Sequence, residues 1–447
     1  MNKILIIPGN TDLNRGDQAL VWESIELVYD IYGKENVELF LMSELEGENA
    51  YLQNRQTKAL GHNFVGSLLG HPGRKFQAKS EDSKGYSKQT LIQWGWQAIK
   101  DYLHTRPLLS KCRSIRFIGE AFLSKKEKDT LTVIKECDAV FVKGGGFIHS
   151  YGAVTDPYFI YYLTYHIRLA NAYGKKVFVL PNSVGPLKNN IARRIALKAL
   201  GQCEFVSLRE NISKQFLDSL NLKTYLFPDL GFYLKPSEKD MQEYLCKHGV
   251  QVEQKKVVLT LRPYRFQGFK DSDALFTNYI NGFVSLVGFL TQTGYHVTFM
   301  AHTLGPSSHE DDSLAIKDVI AKLPEEVLRK TSYIEDKELD CKDVEKIYSY
   351  YDFMIGTRFH SVIFSLNVNV PSIAIAYGGN KGKGIMNVLG NDDFSLDMDK
   401  VKDDNLTELF KKLEANRDTY LENLKEKRKI IDGEREVLVE TIKALVS

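Results

Sequence analysis

The sequence predicts an α/β protein with two parallel sheets, because short apolar runs alternate with helical stretches in two successive series. The first series begins at Lys3–Ile7 and the second at Val257–Leu261. Strands that alternate with helices are typical of parallel sheets, since each parallel connection needs a crossover. At 447 residues, 43% of them apolar, the chain has the length and apolar content for two such domains.

Each predicted strand is a short apolar run, and each predicted helix repeats apolar residues every three or four positions. The strands of the first series are Lys3–Ile7, Val37–Leu41, Ala139–Val142, Val177–Leu180, Phe205–Leu208 and Thr224–Phe227, and its helices are Ala19–Tyr29, Tyr158–Ala172 and Ile191–Leu200. The strands of the second series are Val257–Leu261, His296–Met300, Phe353–Ile355 and Ser372–Ala376, and its helices are Ala274–Thr291, Leu314–Ala321 and Phe359–Leu366.

A highly charged segment, Pro236–Gln254, separates the two series. We therefore place the domain boundary near residue 233, with an N-terminal domain at 1–232 and a C-terminal domain at 233–402. Residues 403–447 have a charged amphipathic pattern, which predicts a helical tail that packs across the domains or caps one of them. Residues 44–128 interrupt the alternation with polar, glycine-containing stretches and predict an insertion or lid.

Charge, cysteine content and hydropathy narrow the class of protein. A net charge of +2 without a block of like charges argues against nucleic-acid binding. Five scattered cysteines without a CxxC argue against a disulfide or zinc framework and fit a reducing compartment. The apolar run Ile4–Ile7 stops at Pro8, too early for a signal peptide, and we find no run of about 18 apolar residues. We therefore expect a cytoplasmic protein without a membrane span.

The strongest candidate for chemistry is the segment 352–385. The strand Phe353–Ile355 runs through Gly356 into a helix, which places Arg358 and His360 in the first helical turn. Ligands of open α/β sheets bind at the carboxyl ends of the strands. A cation at a helix start opposes the helix dipole unless an anion occupies the site. The pattern therefore predicts an anion site, and a surface arginine with a chance histidine beside it is the alternative.

A glycine-rich loop follows the next predicted strand. It reads YGGNKGKG at 377–384, where glycines let backbone N–H groups approach an anion and Lys381 or Lys383 adds charge. It is not a Walker A loop, because Gly384 stands where Ser or Thr is required. Taken alone, this run is a weak signal of anion binding.

Other polar residues have both a binding and a structural interpretation. His149 follows Gly144–Gly146 and either contacts a substrate or is a structural loop histidine. Arg262 either binds an anion or forms a salt bridge between domains, and Asp17 either orients an acceptor or caps the first helix. The potential metal ligands of one polar loop are His302, His309, Asp311 and Asp312. They lack ligand spacing, so we predict no metal site.

Several motifs, taken in order, resemble the polysaccharide pyruvyl transferase family. GTRFHS at 356–361, PSIAIAY at 371–377 and KGKG at 381–384 are similar to its C-terminal hallmark. The opening NTDLNRGDQAL is similar to the family's N-x-G-D-x-A loop at Asn14, Gly16, Asp17 and Ala19. AVFVKGGGFI, VFVLPNSVGPL, FVSLRE and HTLGPSSHEDD keep the family order between them. The resemblance covers nearly the whole chain except residues 44–128 and the tail.

The resemblance implies two Rossmann-like domains in a glycosyltransferase-B-like fold, with the active site in the interdomain cleft. It implies phosphoenolpyruvate as the donor substrate, surrounded by Arg209, Arg358 and His360 without a cofactor. The product would be a pyruvate ketal on a sugar hydroxyl pair of a glycan precursor, with phosphate released. Arginine forks suit carboxylate and phosphate groups, and histidine exchanges protons near neutral pH, so these residue types match that chemistry.

We expect the acceptor on the side of the N-terminal domain. A sugar or a lipid-linked oligosaccharide would face Gly145, Gly146 and His149, together with Asn14 and Asp17 of the opening loop. A lipid-linked acceptor would bring the chain to a membrane surface.

The insertion at 44–128 is expected to act as a lid over the acceptor. Its Trp94 and Trp96 either present an aromatic surface to a sugar or lipid carrier or pack the insertion onto its domain. Shortening it should then change acceptor use and leave the donor in place.

Two other functions stay open at this point. A nucleotide-sugar glycosyltransferase of the same fold would place a diphosphate in the same cationic site, although no paired acidic residue suited to a ribose follows the C-terminal glycine loop. A non-catalytic glycan-binding relative would keep the fold without turnover. The presence of Arg209, Arg358 and His360 argues against the second.

Overall fold

The structure is a computed structural model that describes residues 1–9, 12–43, 48–70, 88–266, 269–376, 386–402 and 404–446. The chain divides into two compact units. The first unit consists of Met1–Asn10, Leu20–Asp229 and Glu436–Ser447, and the second of Thr11–Ala19 and Leu230–Arg435. Each unit contains one parallel sheet with helices.

Within the described residues, the first unit is built on an eight-stranded sheet in which every pairing is parallel. Its strands are β1 (Asn2–Ile7), β2 (Val37–Met42), β3 (Asn63–Val65), β4 (Ala139–Val142), β5 (Gly145–Ser150), β6 (Lys176–Leu187), β7 (Phe205–Leu208) and β8 (Tyr225–Leu226). The order is β3-β2-β1-β4-β6-β7-β8, and β5 pairs with β6. Central strands such as β4 are buried along their whole length, which explains their continuous apolar sequence.

Helices connect these strands. They are α1 (Arg15–Tyr32), α2 (Glu48–Ala59), α3 (Lys88–Thr105), α4 (Arg113–Ala121), α5 (Lys125–Glu136), α6 (Asp156–Ala172), α7 (Asn190–Leu200) and α8 (Asn211–Asp218). The apolar face of α6 supplies Ile160, Tyr161 and Tyr165 to the core around β4 and β6. The tyrosines of this helix therefore serve mainly the core, as their spacing favours.

The part of the second unit that the structure describes has six parallel strands. They are β9 (Lys256–Thr260), β10 (His296–Met300), β11 (Thr331–Ile334), β12 (Phe353–Gly356), β13 (Ser372–Ala376) and β14 (Ser395–Asp397). Their spatial order is β11-β10-β9-β12-β13-β14. The chain begins with β9 at the centre, continues through β10 and β11 to one edge, and then adds β12, β13 and β14 on the other side of β9. This is the doubly wound Rossmann order, whose direction reverses between β9 and β12.

The helices of the second unit are α9 (Gln242–Lys247), α10 (Ser272–Gln292), α11 (Asp312–Ile320), α12 (Glu325–Leu328), α13 (Cys341–Tyr348), α14 (Phe359–Asn367), α15 (Asn405–Ala415) and α16 (Arg417–Val446). Against the expectation of no membrane span, α10 is long and apolar enough to cross a membrane by length and composition alone. It buries Phe283, Leu286 and Leu290 and contacts β10, α11 and α15. Such packing is typical of a core helix.

Three features differ from the sequence expectations. Residues 44–128 do not interrupt the alternation throughout, because β2, α2 and β3 form a regular parallel crossover. With only three residues, β3 is too short to give a period-two signal. The tail forms two helices, and α16 belongs to the second unit up to Arg435 and to the first from Glu436.

The third difference concerns the opening loop. Its residues 12–19 group with the second unit, although β1 of the first unit precedes them and most of the first unit follows them in the sequence. Asn14 and Asp17, expected on the side of the N-terminal domain, therefore lie in the unit that contains Arg358 and His360.

Candidate active site

The candidate site lies at the carboxyl ends of β9 and β12 in the second unit. Gly356, the last residue of β12, is in register with Thr260, the last residue of β9. The backbone N–H of Thr357 donates to the carbonyl of Thr260 at 3.0 Å, so the two strand ends stay together until the chain turns. In doubly wound sheets, ligands bind at this reversal of strand order.

Arg358 lies at this point, between β12 and α14, and is held by a buried carboxylate. Its backbone is extended, and α14 begins at the next residue. Its Nε donates to Oδ1 of Asp312 at 2.7 Å, and its Nη2 lies 2.7 Å from the same oxygen. Asp312 is completely buried and Arg358 nearly so. This ion pair fixes the orientation of the guanidinium group.

Asp312 is itself positioned by the backbone of the preceding loop. Its Oδ2 accepts from the N–H groups of His302 and Thr303, at 3.1 and 3.0 Å. Burial raises the pKa of the Asp312 carboxyl, and the charge of Arg358 acts in the opposite direction. Three hydrogen bonds and the ion-pair contact from Nη2 of Arg358 make this residue the structural anchor of the site.

His360 packs directly on the opening loop. A Cβ atom built on Gly16 would lie 2.5 Å from the Cβ of His360 and closer still to its Cγ and Nδ1. Contacts this close do not occur between real side chains, so only glycine fits there. Gly16, in the first turn of α1, thus forms one wall around the His360 imidazole.

The opening loop is fixed by backbone contacts to the segment after β10. The N–H of Arg15 donates to the His302 carbonyl at 3.3 Å, and that of Leu304 donates to the Leu13 carbonyl at 2.8 Å. Asn14 also forms an isolated β-bridge with Thr303. This segment therefore joins the loop on one side and Asp312 on the other.

Asn14 and Asp17 bind each other at the start of α1. Asn14 Nδ2 donates to Asp17 Oδ2 at 2.9 Å, and Asn14 Oδ1 accepts from the N–H of Asp17 at 3.3 Å. This reciprocal arrangement resembles a capping box. Both residues therefore have a structural role at the helix start, and contact with a substrate stays a prediction.

The electrostatic environment combines cations with buried acids. Burial raises the pKa of Glu310, against the opposing charge of Arg358. Arg262 follows β9, is half-buried and also acts electrostatically on Glu310. Burial lowers the pKa of His302 well below its ordinary value, and the charges of His360 and Arg358 act in the same direction. His302 is therefore neutral at physiological pH and does not add a second positive charge beside Arg358.

His302 is held in a rigid aromatic setting. Its Nδ1 lies 3.1 Å from the hydroxyl of Tyr348, and its ring stacks on the same tyrosine. Phe364 of α14 meets its edge, with ring centroids 5.2 Å apart. A neutral, packed histidine here supports the loop that holds Asp312.

Arg209 lies in the first unit, directly after β7, and is paired in a similar way. Its Nη1 binds Oδ2 of the buried Asp229, and its Nε donates to the hydroxyl of Ser183 at 2.8 Å. Its backbone N–H donates to the Asn182 carbonyl of β6. Like Arg358, it is a buried arginine fixed by an aspartate at a strand end, and its role towards phosphoenolpyruvate stays a prediction.

The glycine loop of the first unit forms the start of β5. Gly145 has a φ of 146° and pairs with Asn182, and Gly146 follows it. His149 is half-buried and its ring lies 5.1 Å from that of Tyr151. These residues lie at the same end of the first sheet as Arg209.

The remaining predicted residues fall outside the described chain or form no metal site. Lys381 and Lys383 lie outside the described residues. Among the residues that the structure describes, no three His, Cys, Asp or Glu side chains are arranged to hold a metal ion. Asp312, considered only as a potential metal ligand in the sequence, binds Arg358 instead.

Sequence reasoning missed the two aspartates that fix the arginines. Asp229 is 20 residues from Arg209, and Asp312 is 46 residues from Arg358. The available signal was an acidic residue in a mostly apolar context, as in FPDLG for Asp229. Such a carboxylate needs a cationic partner when it is buried.

Comparisons with known proteins identify the fold and the family of this chain. The chain is 22% identical over 444 residues to the amylovoran biosynthesis protein AmsJ of Erwinia amylovora, and the match covers 97% of this chain and 96% of that protein. Its fold is similar to that of apo UGT2 from Phytolacca americana, with a TM-score of 0.54, 9% identity and full coverage of both chains. It is also similar to the E. coli trehalose-6-phosphate structure bound with UDP-2-fluoro glucose, with a TM-score of 0.53, 10% identity and 99% of each chain covered.

These structures confirm the glycosyltransferase-B-like fold predicted from the sequence, with its two Rossmann-like domains. The family model described as polysaccharide pyruvyl transferase matches residues 14–379. That range begins at the opening loop and includes Arg209, Arg358 and His360. The chain is a transferase and belongs to the polysaccharide pyruvyl transferase family.

Proposed function

We propose that this transferase moves the pyruvyl group of phosphoenolpyruvate onto two hydroxyls of one sugar in a glycan precursor, forming a cyclic ketal and releasing phosphate. The observation that carries the proposal is the pair Arg358 and His360 at the β9–β12 reversal of the second sheet. Family membership supplies the reaction class, and these two residues supply anion binding and proton transfer at one position.

The donor needs permanent, well-oriented positive charge. Phosphoenolpyruvate carries a carboxylate and a phosphate on a small carbon skeleton, and the planar guanidinium group binds either one through two N–H groups. Asp312 holds Arg358 in a single orientation before any ligand arrives. Pre-organisation of this kind reduces the entropy that binding would cost. Arg262, also at a strand end in this unit, is an additional candidate donor ligand.

The reaction requires one proton to move before carbon–oxygen bonds form. Protonation of the enol methylene produces an oxocarbenium-like carbon, which the first sugar hydroxyl attacks. The bond between this carbon and the bridging oxygen of the phosphate then breaks, and the second sugar hydroxyl attacks the same carbon and closes the ring. Of the two hydroxyl protons, one ends in the new methyl group and the other on phosphate. We assign His360 as the general acid or base in this sequence.

The acceptor class follows from the relatives rather than from the site. The similar protein of Erwinia amylovora is named for amylovoran biosynthesis, which supports an exopolysaccharide precursor as the acceptor here. We further propose a cytoplasmic precursor, carried on a lipid or a nucleotide. Gly145, Gly146 and His149 of the first unit are our candidates for acceptor contacts.

The donor is tested first by binding. A ligand at a hundred times its dissociation constant adds about 2.7 kcal/mol to folding stability. We expect phosphoenolpyruvate to raise the melting temperature, whereas UDP-glucose at the same concentration leaves it unchanged. Arg358→Ala should abolish the effect. Stabilisation by UDP-glucose alone would contradict the proposal and favour a nucleotide-sugar donor.

Turnover is tested by phosphate release from phosphoenolpyruvate with a panel of lipid-linked and nucleotide-linked sugars. His360→Gln should lower the rate by about 10² to 10⁴, as expected for a general acid or base, while donor stabilisation persists. His248→Gln, which changes a histidine bonded to the Tyr244 carbonyl, is the matched control and should keep full activity. Normal turnover with lost donor binding in His360→Gln would make His360 a ligand instead.

A further inference from the structure

Helix α3 attaches to the first unit through its polar residues. Gln97, Asp101 and Thr105 are all buried. Asp101 accepts a hydrogen bond from the Tyr158 hydroxyl at 2.9 Å, and Thr105 bonds to the Tyr161 hydroxyl at 2.9 Å. Surface helices normally turn their apolar stripe towards the protein and their polar residues outward. In α3 this arrangement is largely reversed.

The outward face of α3 is apolar. Its exposed side chains include Ile92, Trp96, Ile99 and Leu103, which follow each other at intervals of four, three and four. That spacing places them on one stripe of the helix. Trp96 is 64% exposed, whereas Trp94, two residues earlier, is only 8% exposed. The two tryptophans of the insertion therefore have different roles.

Helix α4 repeats the same reversal. Its inward residues are polar: Arg116 stacks on Tyr173 at 5.2 Å, and Glu120 accepts a hydrogen bond from the hydroxyl of that tyrosine at 2.8 Å. Its exposed apolar residues are Ile115, Phe117 and Ile118, followed by Phe122 just after the helix. Both helices contact the same short turn, Arg106–Leu109. We call the outward residues of the two helices the α3–α4 apolar surface.

Positive charge surrounds this surface. Residues 88–128 contain nine lysines and arginines against three acidic residues, whereas the whole chain has a net charge of only +2. Lys100, Lys111, Arg113 and Lys125 are exposed on or beside the two helices. The segment therefore combines aromatic and aliphatic side chains with basic ones.

We propose that the α3–α4 apolar surface docks on an anionic phospholipid bilayer. Helices that lie in a membrane interface combine Trp, Phe and Leu on one face with Lys and Arg around it. Anionic lipid headgroups attract such basic residues. This inference is independent of the proposed ketal chemistry, because the surface would bind lipid whichever donor substrate the enzyme uses.

Tryptophan fluorescence gives a direct test on the unmodified protein. The chain has three tryptophans, and Trp22 and Trp94 are buried. Vesicles of phosphatidylglycerol and phosphatidylcholine should therefore shift the emission of Trp96 to shorter wavelength, whereas phosphatidylcholine alone should not. Trp96→Phe should remove the shift while vesicle sedimentation persists. The absence of both shift and sedimentation would overturn the proposal.

Variants then identify the surface. Trp96→Ser with Leu103→Ser should weaken vesicle binding at least about tenfold, because each side chain loses most of its apolar transfer energy. Ile430→Ser in α16 is the matched control, since Ile430 is also exposed, at 60%, and should bind normally. Unchanged binding in the Trp96/Leu103 variant would overturn the proposal.

Charge reversal separates electrostatic attraction from apolar insertion. Lys100→Glu, Lys111→Glu and Arg113→Glu together should abolish the preference for anionic vesicles, and the same reversal at Lys425 and Lys429 of α16 should not.

A protein partner is the competing outcome. If the wild-type protein forms dimers that Trp96→Ser with Leu103→Ser dissociates, and vesicles do not bind, the surface is an interface between copies of this chain.

Discussion

The most informative single substitution is Gly16→Ala, because it adds one methyl group where His360 lies. Gly16 is in the first turn of α1, a backbone conformation that any residue adopts, so the requirement for glycine is one of space. The new Cβ would be 2.5 Å from the Cβ of His360. Carbon atoms prefer a separation of about 3.5 to 4.0 Å, so one of them must move by about 1 Å.

This displacement cannot be relieved by rotating the histidine. The Cβ of His360 is attached directly to the backbone of α14, and a change of side-chain torsion leaves it in place. The start of α14 or the opening loop must shift instead. A misplacement of about 1 Å of a catalytic group lowers rates by about 10², and overpacking destabilises by about 1–3 kcal/mol. We expect Gly16→Ala to lose turnover by about this factor and to keep donor stabilisation.

The assay is phosphate release from phosphoenolpyruvate, together with urea unfolding. Gly288→Ala is the matched control, since a Cβ at Gly288 of α10 meets no atom within 4 Å. That variant should keep full turnover and gain about 0.5–1 kcal/mol in stability from helix propensity. Wild-type turnover in Gly16→Ala would refute the packing of Gly16 on His360 as a functional constraint.

Three further outcomes follow from the buried ion pairs and the anion site. Asp312→Asn should lower the free energy of unfolding, measured by urea titration, by about 3–5 kcal/mol. The reason is that the single amide oxygen cannot accept hydrogen bonds from Arg358 and from two backbone N–H groups at once. A loss below about 1 kcal/mol would contradict this prediction. Asp229→Asn should destabilise similarly by removing the charge opposite Arg209, and unchanged stability would show that another group compensates. Stabilisation by phosphoenolpyruvate should survive chelation with EDTA, since arginines bind the anion; its disappearance would point to a metal.

The regular strands of both sheets were predictable from the sequence because buried parallel strands have continuous apolar runs. Predicted Val37–Leu41 and His296–Met300 correspond to β2 and β10, within one residue at each end. Four strands were missed. The edge strands β3, β11 and β14 have only three or four residues, and β5 begins with two glycines and is only partly buried, so none of them gives a continuous apolar run. A strand can therefore be predicted from its local sequence pattern where both of its faces are buried. The prediction fails where the strand is short or only partly buried.

The sequence did not predict which distant side chains form pairs. The pattern identified Arg358 and its position at a strand end, but an isolated sequence does not specify which acid neutralises a buried arginine. Asp312 ends a run of potential metal ligands, HEDD at 309–312, which we judged to lack ligand spacing, and no pattern in that run indicated an arginine partner. Only the fold brings this aspartate, the first residue of α11, to the Arg358 guanidinium group.

The opening loop brings two motifs from distant parts of the sequence next to each other. Gly16 belongs to the first motif and His360 to the last, and the fold makes them neighbours within one unit. The segment after β10 binds the loop through the backbone and Asp312 through its N–H groups, and Asp312 binds Arg358. Residues from three segments therefore define the surroundings of the histidine and the arginine. We therefore expect a change in any one of the three segments to shift the surroundings of His360 and Arg358.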